Sequence, residues 1–107
     1  MVEYTALDSI FHSLSDPIRR DILRRLTGHE LSVGQLVQQY DVSFAAISKH
    51  LKVLEAARLI RKRREGRKQM IALDEAALKE ADQYLEQYRQ MWHGRYDKLD
   101  ALLKQGD

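Results

Sequence analysis

The chain has 107 residues, 44% of them hydrophobic, which suits one domain with a modest core. It holds no cysteine, so disulfides, thiolate nucleophiles and thiolate metal sites are excluded, and no stretch is apolar for long enough to span a bilayer. The formal net charge is only +2, but residues 1–42 sum to −2, residues 43–73 to +7 and residues 74–107 to −3. A basic centre between acidic ends suits a local polyanion-binding face, the plain alternative being a solvated charged surface. Residues 1–8 carry charges and no continuous apolar run, so a cytoplasmic location is expected.

Leu7, Ile10, Phe11 and Leu14 fall at i, i+3, i+4 and i+7 and predict an amphipathic helix ending near Ser15. Asp16-Pro17 restarts the chain: the aspartate caps a second helix, and the proline takes its first position, where a missing N–H is harmless. Ile18, Ile22, Leu23 and Leu26 form its buried stripe, and Gly28 ends it. Arg19, Arg20, Arg24 and Arg25 lie close enough to Asp16 and Asp21 for helical ion pairs, with a phosphate contact as the alternative for Arg19 or Arg20.

Ser32-Val33-Gly34-Gln35 reads as a capping box that opens a short third helix, with Val33, Leu36, Val37 and Tyr40 inward. After a turn at Asp41-Val42, Ser43 caps a fourth helix running to about Ala57. Its apolar line is Ile47, Leu51 and Leu54. Two short helices joined by a tight turn have the form of a helix-turn-helix, whose second helix is sized for the major groove. Candidate DNA contacts on that helix are Ser43, Phe44, Ala45, Ala46, Ser48, Lys49, His50 and Lys52. Lys49 suits guanine O6 and N7, Ser48 a base or phosphate, and the alanines or Phe44 a thymine methyl. A solvent-facing or packing role is the alternative for each.

Arg61 to Arg64, Glu65-Gly66-Arg67 and Lys68 to Leu73 predict a β-hairpin with a basic tip, a wing. Arg61, Arg63, Arg64, Arg67 and Lys68 are its candidate phosphate contacts, although strand alternation sends only part of the set, which also includes Lys62, to any one face. A final helix from Asp74-Glu75 carries Leu78, Leu85, Tyr88, Trp92, Leu99 and Leu103 along about 30 residues. A domain this small cannot cover that stripe, so a homodimer is expected, with Leu7, Ile10, Phe11, Leu85, Tyr88, Trp92, Leu99 and Leu103 at its interface. No pair among His12, His29, His50 and His93 has the spacing of two ligands on one helix face, so no metal or other cofactor is expected. Nor does any nucleophile–base motif or phosphate loop point to an enzyme. The expected fold is a single domain over residues 1–107, mainly α with a small β-hairpin, whose terminal helices, residues 1–15 and 74–105, dimerise.

The segments Leu14-Ser15-Asp16-Pro17-Ile18-Arg19-Arg20-Asp21-Ile22-Leu23 and Val42-Ser43-Phe44-Ala45-Ala46-Ile47-Ser48-Lys49-His50-Leu51-Lys52-Val53-Leu54, with Glu65-Gly66-Arg67, resemble the ArsR family of bacterial repressors. The resemblance covers about residues 7–73 and implies a winged helix-turn-helix dimer that represses transcription from inverted-repeat operators, often at its own promoter. The family's cysteine motif would fall at Leu31 to Leu36, which offers no thiolate. The metal-ligand pattern of its zinc and cobalt sensors is not reproduced at Asp82-Gln83-Tyr84 or His93-Gly94-Arg95-Tyr96. The tail from Tyr84 to Leu103 instead resembles a non-metal branch often found beside genes for START-like proteins. Where the family usually has glycine after the recognition helix, this chain has Arg58, so a differently built helix end is expected. The alternative reading is a winged-helix module for protein–protein interaction, with only non-specific DNA affinity.

Overall fold

A computed structural model describes residues 4–105, with side chains described as far as Trp92 and again at Leu102 and Leu103. The first helix, α1 (Ala6–Ser13), begins where the Thr5 backbone N–H donates to Asp8 Oδ2 at 2.6 Å. The next, α2 (Pro17–Arg25), is capped as its sequence predicts: Asp16 Oδ1 accepts from the N–H of Ile18 at 2.8 Å and of Arg19 at 3.1 Å, with Pro17 at the first position. Burial opposes ionisation of Asp16, but the two backbone bonds outweigh it and hold the carboxyl below its ordinary value.

A two-residue strand, β1 (Leu31–Ser32), leads into α3 (Val33–Val37), opened by the predicted capping box. Ser32 Oγ accepts from Gln35 N–H at 3.1 Å, and Gln35 Oε1 accepts from Ser32 N–H at 2.8 Å. The following helix, α4 (Phe44–Ala56), starts at the Ser43 cap, and then come the wing strands β2 (Ile60–Glu65) and β3 (Lys68–Leu73) and the long α5 (Glu75–Gln105). The sheet is antiparallel in the order β1-β3-β2. The predicted hairpin is therefore part of a three-stranded sheet. In the hairpin, Glu65 pairs with Lys68 across Gly66-Arg67, and Gly66 supplies the positive φ of +62° that such a tight turn needs.

The core joins every layer: Ile10 of α1, Ile22 and Leu26 of the α2 region, Leu36 of α3, Ile47, Leu51 and Leu54 of α4, Leu59, Ile71 of β3, and Ala77 and Ala81 of α5. Each large aliphatic side chain sealed there contributes roughly 1.5–3 kcal/mol of burial. Ile10 is 1% exposed and so corrects one expectation: it packs into its own chain's core and has no surface to offer a partner. Leu7 also packs against the core, half-buried, whereas Phe11, Leu85, Tyr88, Trp92 and Leu103 are exposed. The side chain of Leu99 lies outside the described residues, as does that of His93.

The end of α4 corrects another expectation. Arg58 N–H donates to Glu55 O at 2.9 Å and Leu59 N–H to Leu54 O at 3.0 Å, while Arg58 itself sits at φ +61°. This is the left-handed helix ending usual for glycine, built here with arginine. No helix among the described residues is long and apolar enough to cross a membrane.

Candidate nucleic-acid interface

The stripe Ile47, Leu51 and Leu54, 0–2% exposed, anchors α4 on the core and fixes which of its faces looks outward. Phe44, Ser48 and Lys52 then lie along one side, facing the wing, with Ala45 and Lys49 exposed beside them. On the wing, Ile60 and Leu73 pair with both side chains toward the core, and so set the phase of the strands. Alternation puts Lys62 and Arg64, opposite Ile71 and Gln69, on that inner face.

Helix and wing enclose a groove of about 550 Å³, lined by Phe44, Ser48, Leu51 and Lys52 from α4, by Ser32, Val33 and Gly34, and by Lys62, Arg64, Arg67, Lys68 and Gln69 from the wing. Five of these side chains are cationic and none of the described lining residues is acidic. Among the described residues, Lys49, Lys52, Arg64, Arg67 and Lys68 form no ion pair, while Lys62 reaches Glu55 Oε1 at 3.4 Å. Unpaired cations in a concave site are available to neutralise phosphates, as duplex binding requires.

Several residues singled out from the sequence lie elsewhere. Arg61 and Arg63 project from the outer face of β2, and Arg63 is held by Glu30 through Nε at 2.8 Å and Nη2 at 3.0 Å, with Glu65 at 3.1 Å. The hydrogen bond from Arg63 holds the Glu30 carboxyl below its ordinary range. His50 turns toward α2: its ring Nδ1 is 3.2 Å from Arg19 Nη1 and 4.0 Å from Asp16 Oδ1. An arginine can only donate, so Nδ1 is the acceptor in that contact. Lys62, part of the hairpin's basic set but not among the candidate phosphate contacts singled out from it, is on the groove side. Its signal was the alternation counted from Ile60.

The α2 arginines are committed internally. Arg19 donates to Ser13 O at 2.7 Å and His12 O at 3.2 Å, and Arg20 to Leu14 O at 2.7 Å. Arg24 and Arg25 pair with Asp21 at 2.6 and 2.8 Å, and Tyr40 Oη donates to the same carboxylate at 2.7 Å. These bonds, that from Tyr40 foremost, hold Asp21 far below the usual carboxylate range; burial, then the bond to Asp21, pushes Tyr40 up to about 12. Among the described residues no group of three or more His, Asp or Glu side chains could hold a metal ion.

A helix-turn-helix whose second helix stands beside a basic, strand-built wing is the architecture of a winged helix-turn-helix DNA-binding domain. Comparison with known proteins agrees. A family model described as a helix-turn-helix domain matches residues 14–63. The chain is 40% identical over 78 residues to the HTH-type transcriptional regulator Rv2034 of Mycobacterium tuberculosis, covering 73% of each protein. It is 33% identical over 85 residues to the arsenical resistance operon repressor of Staphylococcus xylosus, covering 79% of this chain and 82% of that one. A solved ArsR family transcriptional regulator matches with a TM-score of 0.77 at 29% identity, over 87% of this chain and 97% of that one. The chain belongs to the ArsR family of winged helix-turn-helix transcriptional regulators, which bind DNA and are not enzymes.

Proposed function

We propose that this regulator is a cytoplasmic repressor that binds an inverted-repeat operator, its own promoter included, as a homodimer. The observation that carries the reading is the groove between α4 and the wing, where Lys52, Arg64, Arg67 and Lys68 stand without a carboxylate among the described lining residues. Ser43, Phe44, Ala45, Ala46, Ser48 and Lys49 are the residues proposed to meet the bases, and Lys52, Lys62, Arg64, Arg67 and Lys68 the phosphates. Arg61, Arg63 and His50 are left out because of where their side chains lie.

The dimer reading rests on α1 and α5. Phe11 meets Tyr84 edge to face at 5.9 Å between centroids, Tyr84 meets Tyr88 at 5.6 Å, and this row continues into Leu85, Met91 and Trp92, all at least 37% exposed. A contiguous aromatic surface of that kind marks an interface. The 31 residues of α5 span about 46 Å, and among its described side chains Ala77, Leu78 and Ala81, all in its first two turns, are the ones that join the core. The aromatic side chains along the described part of α5 also suit the non-metal branch often encoded beside START-like proteins.

Fluorescence anisotropy of the protein with its own upstream DNA and with a scrambled duplex, at several salt concentrations, tests the reading. A preference of about a thousandfold for the promoter is expected of a specific repressor. Equal, salt-sensitive binding to both would favour the protein-interaction module, and no binding to either would overturn DNA binding altogether. Trp92→Glu, examined by analytical ultracentrifugation, should shift the dimer to monomer.

A further inference from the structure

The side chains of the leading turn of α4 offer little for hydrogen bonding beyond one hydroxyl proton. The Ser43 hydroxyl is occupied as an acceptor, bonded by the Ala46 backbone N–H at 3.1 Å, and Ala45 and Ala46 have no polar side-chain atoms. Between them stands Phe44, 61% exposed. The core does not use it, because Ile47, Leu51 and Leu54 already carry the packing of α4. Helical side chains tilt toward the N-terminus, so a ring at the first helical position projects ahead of the helix end. The first side chain along α4 with free polar atoms in the groove is Ser48, one turn later.

In the major groove, guanine, adenine and cytosine present polar edges, and the only apolar feature is the 5-methyl group of a pyrimidine. A polar edge pressed against a phenyl ring loses its water without gaining a partner, whereas a methyl group gains by burial. We infer that Phe44 reads a pyrimidine 5-methyl group, that of thymine in unmodified DNA, one turn ahead of the bases that Ser48 and Lys49 address. The inference rests on the proposed operator binding and names one determinant of its specificity.

The test begins with selection from a random duplex library, using the full-length protein and Phe44→Gln. Because the ring is exposed, the variant should fold as the wild type does, which circular dichroism checks. Wild type should enrich thymine at one position of each half-site, and the glutamine variant should lose that preference in favour of adenine. The selected duplex is then made with thymine, deoxyuridine, cytosine or 5-methylcytosine at that position. For wild type, deoxyuridine should weaken binding about fourfold per half-site, the worth of one buried methyl group, and Phe44→Gln should not distinguish the two. Tighter binding of 5-methylcytosine than of cytosine supports methyl reading from either source, while a deoxyuridine loss without that gain commits it to thymine. Equal wild-type binding of thymine and deoxyuridine, or the same loss in Phe44→Gln, overturns the inference with operator binding intact. No enrichment of any sequence by wild type overturns operator binding itself, and the inference with it.

Discussion

Two populations of cations stand within one small domain, and they differ in their partners more than in their number. Arg19, Arg20, Arg24 and Arg25 on α2, with Arg63 on the outer wing, each donate to a carbonyl or carboxylate of the same chain. Lys52, Arg64, Arg67 and Lys68 along the groove have no such ion pair among the described residues. Along β2 the facing alternates residue by residue, because Ile60 puts Lys62 and Arg64 on the core side and leaves Arg61 and Arg63 outside. The pairing does not follow it, since Lys62 reaches Glu55 and Arg61 has no ion pair among the described residues. A basic composition therefore locates an interface only after the internal partners are subtracted.

The largest expected effect separates the populations directly. Each phosphate contact adds about 0.9 to the slope of log affinity against log salt, which near 0.1 M is worth about tenfold in affinity. Replacing Arg64 and Arg67 together by alanine should weaken duplex binding about a hundredfold and flatten the salt slope by about 2. Arg63→Ala should leave the slope as it is. A slope that falls by about 1 in Arg63→Ala would show that Glu30 releases this arginine to DNA, and the contrast between the two wing faces would fail.

The internally paired set has its own signature in stability. Asp21, bonded by Tyr40, Arg24 and Arg25, titrates far below its ordinary 3.8, so its contribution is complete above that value and lost as pH falls through the lowered one. Tyr40, raised to about 12, works at the other end: its contribution is complete below 10 and lost as pH rises through about 12. Asp21→Asn should cost about 1–2 kcal/mol at neutral pH and flatten the acid limb of the stability curve, read by urea unfolding at successive pH values. Its salt slope for DNA should match wild type. A steeper slope would mean that Arg24 and Arg25, once freed, reach phosphates.

Much of this was legible beforehand because the signals are local. Asp16-Pro17 and Ser32 with Gln35 make their capping bonds within four residues, and Ile47, Leu51 and Leu54 define the buried side of α4 by spacing alone. What escaped depends on contacts distant in sequence. The strand at Leu31–Ser32 is too short for any periodicity and forms because β3 offers Met70 and Ile71 for pairing. Ile10 and Phe11 belong to one predicted stripe, yet the first is sealed by the chain's own core and the second is left exposed. His50 looked like a base reader from its place on the recognition helix, but Arg19, far away in sequence, takes its ring nitrogen.

Arg58 gives the smallest effect and tests the comparison from a third side, as an exposed cation outside the groove and without an ion pair among the described residues. Its φ of +61° costs a residue with a Cβ roughly 1–2 kcal/mol relative to glycine, part of which glycine returns through the greater entropy of its unfolded chain. Arg58→Gly should therefore stabilise the protein by about 1 kcal/mol, measured by urea unfolding, with the Leu59–Leu54 backbone bond preserved. Because the side chain is not part of the groove, the salt slope of DNA binding should not change. Stabilisation with an unchanged slope separates mere exposure of a cation from placement on the duplex, whereas a flatter slope would extend the interface to the far end of α4 and explain why arginine is kept at a glycine position.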